Sequence, residues 1–357
     1  MRHAGRIAAA FAAAGALSAS PAALGAQEPE RYAFSDDAVA VYNLAGAVSV
    51  EAGDGGSIVV ELRRGGADAG ELRVETGRID GAQSLRVIYP ADRVVYPELG
   101  FGSRTSIRVR DDGTFYDDDG DGWFGGGDRV TIAGSGSGLE AFADLRIAVP
   151  EGRRLAVYLG AGRAMIANVN GAIRVETGSG AIEAVGTRGV LELDTGSGRV
   201  SVRDAEGEVE VDTGSGRIDV HGVRGSRLYV DTGSGGVEGS DLAVEDLEVD
   251  TGSGSIELAG VRADDARLDT GSGSVRLALL EAVRDLEIDT GSGSVTLSVP
   301  AELNAEIELD TGSGGIDVDL PLRVVRSERN YLLAQAGQGG GTIRIDTGSG
   351  GIRIRSN

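Results

Sequence analysis

Apolar and polar residues alternate in short runs along the second half of the chain, and glycine-rich turns separate the runs. Within residues 191–195 (LELDT) the first, third and fifth side chains share one face, and Val200 and Val202 continue that face after the turn at residues 196–198. Alternation with a period of two indicates a β-strand with one buried face. The pattern therefore predicts two strands joined by a tight turn in each repeat.

The turns themselves recur at a nearly fixed interval. An acidic residue followed by Thr-Gly-Ser-Gly occurs nine times, with steps of 18 to 21 residues and a last step of 36. The acidic positions are Glu176, Asp194, Asp212, Asp231, Asp250, Asp269, Asp289, Asp310 and Asp346. A period of this size predicts an all-β solenoid, a single strand-bearing chain coiled into rungs of 18–21 residues over residues 151–357. The 36-residue step equals two rungs, so we expect residues 326–341 to replace one turn with a loop or hairpin.

Local chemistry explains the acidic pentad as a structural turn. Glycine tolerates positive φ, and aspartate can fold its carboxylate onto an amide two residues ahead in an Asx-turn. The threonine faces inward and can hydrogen-bond along its own stack. The residues assigned this turn role are Asp194, Asp212, Asp231, Asp250, Asp269, Asp289, Asp310 and Asp346. A third apolar corner is expected at Val185, Val223, Leu242, Val261 and Leu280.

Stacked rungs would align these aspartates in a column. Unit charges about 4.8 Å apart repel by roughly 0.9 kcal/mol per neighbouring pair even at the dielectric constant of water. Turn amides and serine hydroxyls are one source of relief, and calcium bridging between rungs is another. The sequence leaves both open.

Residues 27–150 are rich in strands but irregular, so we expect them to cap the array or to form its first rungs. Within them, residues 88–138 are an acidic and aromatic insertion. The segment YDDDGDGWFGGGD has the oxygen spacing of a calcium loop, with Asp117, Asp119, Asp121, the Trp123 carbonyl and Asp128 as ligands. Asp replaces the usual Glu at the last position, and a solvated acidic turn is the alternative interpretation.

Aromatic residues crowd the same insertion. Tyr116, Trp123 and Phe124 are a candidate binding patch for a sugar or a protein. The flanking stretches SIRVR and RVTIAG predict two strands, so the acidic loop would join a β-hairpin. Packed under this hairpin, the aromatic residues would instead form its small core.

Composition narrows the location and the partners. Arg2 and Arg6, an apolar run over residues 7–17 and small residues up to Ala26 predict a signal peptide over residues 1–26. The alternative is an uncut amphipathic or membrane anchor. It is less favoured, because the apolar run is too short to span a bilayer. We expect an exported protein in the periplasm, at the cell surface or outside the cell, with no transmembrane segment in the mature chain. The formal net charge of -22 argues against nucleic acid as a partner, and the absence of cysteine excludes disulfide stabilisation.

Three stretches resemble a known family: VYNLAGAVSVEAGDGGSIVVEL, DLRIAVPEGRRLAVYLGAGRAMIANVNGAIRVETGSGAIEAVGTRG and GGGTIRIDTGSGGIRIRSN. They are similar to the bacterial putative-adhesin, or toastrack, proteins, which carry β-strand repeats. The resemblance covers nearly all of the predicted mature chain and is weakest from about residue 88 to residue 138. It implies a right-handed β-helix-like solenoid and an exported or envelope location, and it supplies no catalytic residues.

Three other functions find little support in these residues: a pepsin-like protease, an ice-binding protein and an enzyme with a nucleophilic triad. Asp-Thr-Gly-Ser also surrounds the catalytic aspartates of pepsin-like proteases, but those enzymes oppose two carboxylates across a cleft, and a solenoid stacks them along one edge. Threonine columns are also typical of ice-binding solenoids, but here they should face inward. With no cysteine or lysine, and with His221 predicted to lie outward, nucleophilic triads have no candidates.

The interpretation favoured by the sequence is therefore a non-catalytic, adhesin-like scaffold or binding module whose partner is a glycan or protein of the cell envelope. The alternative is a calcium-dependent protein that binds or cleaves polysaccharide. For cleavage, Arg199 and Arg217 beside Asp219 are the nearest approach to a base among acids.

Overall fold

The structure is a computed structural model that describes residues 29–79, 81–116 and 126–357. These residues form strands and two short 3₁₀ turns, Ala69–Glu71 and Pro97–Leu99. The first ten strands are β1 (Glu30–Phe34), β2 (Ala38–Ala45), β3 (Val48–Ala52), β4 (Ile58–Gly65), β5 (Arg73–Ile79), β6 (Ala82–Ile88), β7 (Arg93–Val95), β8 (Arg104–Val109), β9 (Asp128–Ala133) and β10 (Phe142–Val149). The predicted signal peptide lies outside the described residues.

The repeat array contains the remaining strands. They are β11 (Arg153–Ala161), β12 (Ala164–Ala167), β13 (Asn170–Ser179), β14 (Ile182–Val185), β15 (Arg188–Ser197), β16 (Val200–Arg203), β17 (Glu206–Ser215), β18 (Ile218–His221), β19 (Arg224–Thr232), β20 (Val237–Ser240), β21 (Ala243–Thr251), β22 (Ile256–Thr270), β23 (Val275–Leu279), β24 (Asp285–Thr290), β25 (Val295–Val299), β26 (Ala305–Thr311), β27 (Ile316–Asp319), β28 (Leu322–Ser327), β29 (Tyr331–Ala336), β30 (Gly341–Thr347) and β31 (Ile352–Ser356).

Each rung contributes one strand to each of two parallel sheets, which confirms the predicted solenoid. Sheet I contains the strands that lead into the acidic turn, such as β15, β17 and β19, and sheet II contains the strands that follow it, such as β16, β18 and β20. Strand β22 contributes its first half to sheet II and its second half to sheet I. The alternating apolar side chains of both sheets face one another in the core, where almost all of them are buried.

Neighbouring rungs align residue on residue. Leu191 pairs with Val209, Asp194 with Asp212 and Thr195 with Thr213, and the equivalent residues of later rungs pair in the same way. A side-chain period of two makes this register the one that keeps every apolar residue inside. The threonine of every acidic pentad is consequently buried.

The third corner lies two residues later than the sequence suggested in the early rungs. Its buried positions immediately precede each sheet I strand and are Val169, Thr187, Ala205, Val223, Leu242 and Val261. The prediction was therefore right for Val223, Leu242 and Val261, but wrong for the other two. Val185 is only half-buried, and Leu280 is exposed because a register shift in β22 stacks Leu279 on Val261 instead.

Antiparallel strands end both sheets at the N-terminal side. Strands β2 and β3 pair in parallel with β11 and β12 and thus form a rung of the stack. In sheet II, β10 lies beside β3, β4 runs antiparallel to β10, and β1 runs antiparallel to β4. In sheet I, β6 lies beside β2 and is followed by antiparallel β5.

At the C-terminal side the spatial order of the rungs departs from their order in the chain. Strand β30 lies between β24 and β26, and β31 lies between β25 and β27. The hairpin predicted as an alternative for residues 326–341 is present as strands β28 and β29, and β29 lies antiparallel on β26. The rung that follows this hairpin in the chain lies between the two preceding rungs, an order that the sequence did not predict.

The insertion forms a separate three-stranded sheet, sheet III, in the order β7, β9, β8. Strands β8 and β9 are an antiparallel hairpin, as predicted for the strands that flank the acidic loop. Ile107 and Ile132 of this hairpin approach Gly160, so sheet III packs on the first turns of the array.

Candidate functional site: the outer face of sheet I

Close backbone stacking explains both glycines of the Thr-Gly-Ser-Gly turn. A Cβ on Gly254, the second glycine of its turn, would lie 1.7 Å from the carbonyl oxygen of Gly235 in the preceding rung. A Cβ on Gly252, the first glycine, would lie 2.4 Å from the oxygen of Gly233. Contacts this short with backbone atoms do not occur between real side chains, so the rung spacing itself requires glycine at both places.

The threonine of the turn ties neighbouring rungs together. The Thr251 hydroxyl donates to the Gly235 carbonyl at 2.9 Å and accepts from the Gly254 amide at 2.9 Å. The same pair of bonds occurs at Thr232, Thr270, Thr290, Thr311 and Thr347. These threonines thus bond along the stack, as predicted, but their acceptor is a glycine carbonyl of the neighbouring turn and not another threonine. The hydroxyls of Thr177 and Thr213 make no such bond.

The aspartates stand outside this network. The Asx-turn prediction was wrong for the later rungs, because the amide two residues after Asp250, that of Gly252, donates to the Thr232 carbonyl instead. Asp194, Asp212, Asp231 and Asp250 pair in register along sheet I and point outward. The column continues through Asp269 and Asp289 to Asp346 and then Asp310, following the spatial order of the rungs.

Neighbouring carboxylates raise one another's proton affinity in this column. Burial and then the charges of Asp194, Asp231 and Glu210 raise the pKa of Asp212 to about 6. Partial burial raises the pKa of Asp250, and the charges of Asp269 and Asp231 add to the shift. The pKa values of Asp194, Asp289 and Asp346 are also raised, with burial as the largest cause at each.

We expect Asp212→Asn to raise the melting temperature at pH 7.5 and to reduce the gain in stability between pH 7.5 and pH 5. A pKa that is higher in the folded state stabilises the fold as the pH falls through about 6, and the benefit is lost as the pH rises through that value. Asn removes the charge at every pH. Thermal melts of the parent and the variant at both pH values measure the effect.

Asp265→Asn is the control, because its expected effect on the melting temperature has the opposite sign. A hydrogen bond from Arg284 lowers the pKa of the Asp265 carboxyl, so its stabilising contribution is lost only at pH values below the ordinary Asp range. This variant should lower the melting temperature slightly at both pH values. Equal pH dependence in the parent and in Asp212→Asn would contradict the raised pKa.

The rest of the outer face of sheet I is also rich in carboxylates. The acidic residues of the sheet I strands from β17 to β26, besides the aspartate column, are all at least partly exposed: Glu206, Glu208, Glu210, Glu245, Asp246, Glu248, Asp264, Asp265, Asp285, Glu287, Glu306 and Glu308. The arginines of these strands and of β30, which lies among them, are fewer: Arg224, Arg227, Arg262, Arg267 and Arg344. On sheet II, in contrast, arginine, glutamate, serine and alanine share the outward positions. The array thus has one extended acidic face, which we call the carboxylate face.

The first rungs interrupt this face with a shallow apolar groove of about 370 Å³. Small side chains such as Ala40, Ala156 and Ala172 form its floor, and the stacked rings of Tyr42 and Tyr158, 4.6 Å apart, close one end. Our sequence analysis missed this groove. Alanine at outward strand positions, where later rungs carry charged residues, is the signal that could have revealed it.

Tyr116 of the predicted aromatic patch is half-buried beside this groove. Its ring lies 5.2 Å from that of Phe115, which in turn packs edge-on against Tyr42. Burial, with the nearby charges of Glu176 and Asp194, raises the pKa of the Tyr116 hydroxyl. The described start of the acidic loop therefore covers the first acidic turns. Trp123 and Phe124 lie outside the described residues, so the patch stays a prediction.

The calcium loop lies mostly outside the described residues. Of its predicted ligands, Asp117, Asp119, Asp121 and Trp123 are not described, and Asp128 is exposed at the first position of β9. Among residues 29–79, 81–116 and 126–357, no group of three or more His, Cys, Asp or Glu side chains is placed to hold a metal ion. A calcium ion between described rungs would therefore have at most two of these side chains and would need water or carbonyl ligands.

The arginines considered for polysaccharide cleavage are engaged in ion pairs. Arg199 lies 3.3 Å from Asp219, and Arg217 lies 2.8 Å from Glu238 in the next rung. His221 shares a hydrogen bond of 2.9 Å with the Ser240 hydroxyl. Each of these groups therefore has a polar partner in a neighbouring rung along sheet II.

The match to one protein-family model agrees with this architecture. Residues 189–355 match the family model described as Toastrack DUF4097. Among solved structures, a putative cell adhesion protein from Clostridium sporogenes is similar over 92% of this chain and 100% of its own, with 11% identity and a TM-score of 0.20. No curated protein matches the chain. Within the described residues, none of the helical segments is long and apolar enough to cross a membrane.

Proposed function

Because the chain belongs to the Toastrack family through its repeat array, we propose that it is a non-catalytic, exported, adhesin-like scaffold whose carboxylate face binds a component of the cell envelope. The observation that carries this proposal is the in-register column of outward aspartates from Asp194 to Asp310. Glycine and threonine already account for the turn, so the aspartates contribute charge to the surface rather than bonds to the fold.

The repetition of carboxylates along the stack favours surface binding over catalysis. The carboxylates repeat at each rung, about 4.8 Å apart along the stack, and present many equivalent groups instead of one unique pair. A regular charged plane attracts cationic or multivalent partners over its whole length, and such binding weakens with salt. The partner that fits this face is a cationic protein or a glycan carrying positive charge.

A matched pair of triple variants tests the proposal. Glu206, Glu248 and Glu287 lie on the carboxylate face, and each is within ion-pair distance of one arginine. Replacing these three with Gln should weaken binding to isolated cell envelopes at least about tenfold, because the lost charges act together. The control replaces Glu183, Glu238 and Glu257 of sheet II, which are each also paired with one arginine.

Binding should also fall steeply between 50 and 500 mM salt for the parent and for the control. Equal loss of binding in both triple variants would indicate that net charge, and not this face, is responsible. Unchanged binding in the carboxylate-face variant would contradict the proposal.

The alternative function is calcium-dependent binding or cleavage of polysaccharide, and the predicted loop from Asp117 to Asp128 is what favours it. A ligand that binds only the folded state raises its stability. If calcium occupies the loop or bridges rungs, millimolar calcium should raise the melting temperature and a chelator should reverse the change. Identical melting curves under the two conditions would remove both calcium sites, while the carboxylate-face proposal would stand or fall on the envelope assay.

A further inference from the structure

The last rung of the array fills a slot between two rungs that precede it in the chain. Strands β24 and β25 form one wall of this slot, and β26 and β27 form the other. The segment that fills it, residues 341–357, follows the hairpin of β28 and β29 in the chain. We call this segment the donor segment.

Backbone ladders and apolar packing hold the donor segment from both sides. The Thr342 amide donates to the Arg284 carbonyl on one side, and the Gly312 amide donates to the Thr347 carbonyl on the other. The Thr347 hydroxyl also reaches the Gly293 carbonyl at 2.9 Å. Four isoleucines of the segment are fully buried, Ile343, Ile345, Ile352 and Ile354.

Charge makes the slot selective for this segment. The walls carry only acidic charges, three in residues 285–299 and five in residues 305–319. The donor segment carries three arginines and one aspartate. Arg344 lies 3.7 Å from Asp285 on one wall and 3.9 Å from Glu308 on the other, and Arg353 lies 3.3 Å from Asp317. Without the segment, two acidic walls would face each other.

The connection to the donor segment is short and rich in glycine. Residues 337–340 join β29 to β30, and Gly337, Gly339 and Gly340 have φ values of 56°, 76° and 158°. Glycine linkers open at little cost, because they have no preferred conformation to lose. Four extended residues span at most about 14 Å, enough for the segment to leave its own slot when the ends of two molecules meet.

From these observations we infer that the slot is a binding site for the donor segment of a second copy of this chain. A slot that accepts residues 341–357 of its own molecule presents the same ladders, apolar sites and carboxylates to the same residues of another. Exchange of an identical element between copies is a low-cost route to dimers, and main-chain pairing supplies the affinity. The linkage would join scaffold molecules through the rungs that form the slot, which goes beyond the function proposed above.

Single-cysteine variants of the full chain test this inference, since the natural sequence contains no cysteine. Glu287→Cys places a thiol on one wall, and Arg344→Cys places one opposite it on the donor segment. The two variants are mixed, warmed to just below the melting temperature, cooled and oxidised. Exchange predicts a disulfide-linked heterodimer, at least about fivefold more abundant than in a mixture of Glu287→Cys and Glu308→Cys, whose positions lie on opposite walls.

Three comparisons make the result decisive. A molecule carrying both Glu287→Cys and Arg344→Cys should close an internal disulfide, which shows that the thiols are reactive and the variants folded. Asp317→Asn should lower the heterodimer yield by weakening the hold on Arg353 and Arg355. If the internal disulfide forms but the mixed variants give no more heterodimer than the wall-to-wall control, the inference is wrong.

Discussion

Gly235→Ala should destabilise the folded protein by about 3 kcal/mol or more, whereas Gly236→Ala should change its stability by less than about 1 kcal/mol. A Cβ on Gly235 would lie 1.4 Å from the Gly216 carbonyl oxygen, while the nearest atom to a Cβ on Gly236 is the Ser255 oxygen at 3.5 Å. The added methyl group is the same in both variants, and only the space available to it at the neighbouring rung differs. Urea unfolding followed by circular dichroism measures both variants.

The physical reason for the difference is the spacing of the rungs. Parallel strands lie about 4.8 Å apart, and at the corner the backbone of one turn lies directly over that of the preceding turn. Because each rung contacts only its neighbours, a rung that is forced apart weakens the array at that point. Similar unfolding midpoints for the two variants would mean that the turns do not stack as described.

Thr270→Val should lower stability by about 2 kcal/mol or more, and Thr213→Val should be neutral or slightly stabilising. The Thr270 hydroxyl donates to the Gly254 carbonyl at 2.9 Å and accepts from the Gly273 amide at 3.0 Å. Valine has the same shape but leaves that carbonyl and that amide without these bonds. The Thr213 hydroxyl is equally buried and has no hydrogen-bond partner, so valine removes an unsatisfied polar atom.

The same urea experiment distinguishes the two threonines. Their sequence context is identical, Asp-Thr-Gly-Ser-Gly, so a turn preference of the motif would give equal effects at both. Equal losses of stability in Thr270→Val and Thr213→Val would show that the Thr270 hydroxyl does not bridge rungs.

Much of the fold could be predicted from the sequence, because the repeat period and the alternation act at every rung. Once Leu191 and Leu193 face inward, the residues 18 positions later, Val209 and Val211, must do so as well, and the threonines follow. The third corner was less predictable. Val185 and Thr187 are both compatible with the pattern, and only the start of the next strand decides that Thr187 is buried.

The order of the last rungs could not be predicted in this way. Every rung has the same pentad and similar apolar residues, so periodicity cannot tell which rungs are neighbours. The charges of the donor segment gave a usable signal, since its three arginines outnumber its one aspartate, whereas residues 285–299 and 305–319 carry only acidic charges. The raised pKa of Asp212 also depends on which groups are its neighbours in space. From the sequence, only repulsion between the aspartates of one column could be predicted.

The candidate site was predicted in part. The sequence indicated an outward column of carboxylates and predicted that each carboxylate forms an Asx-turn. In the structure the threonine carbonyl and hydroxyl groups make the hydrogen bonds of the turn instead. The groove near Tyr42 and Tyr158 arises because outward alanines from separate rungs meet, which no single repeat reveals. The predicted calcium ligands from Asp117 to Trp123 remain a prediction that the calcium melts address.

Cysteine pairs on the outer face of sheet I test most directly whether the rungs stack in register and in the order described. Glu287, Arg344 and Glu308 occupy equivalent positions on three successive strands, with Arg344 in the middle. Adjacent strands bring Cα atoms within disulfide range, and strands two apart, roughly 10 Å, do not. With Arg344 in the middle, Glu287→Cys should form a disulfide with Arg344→Cys within one molecule, and so should Glu308→Cys with Arg344→Cys. The pair of Glu287→Cys and Glu308→Cys should form none. Efficient formation of the last pair, with failure of the first, would contradict the described order of the rungs.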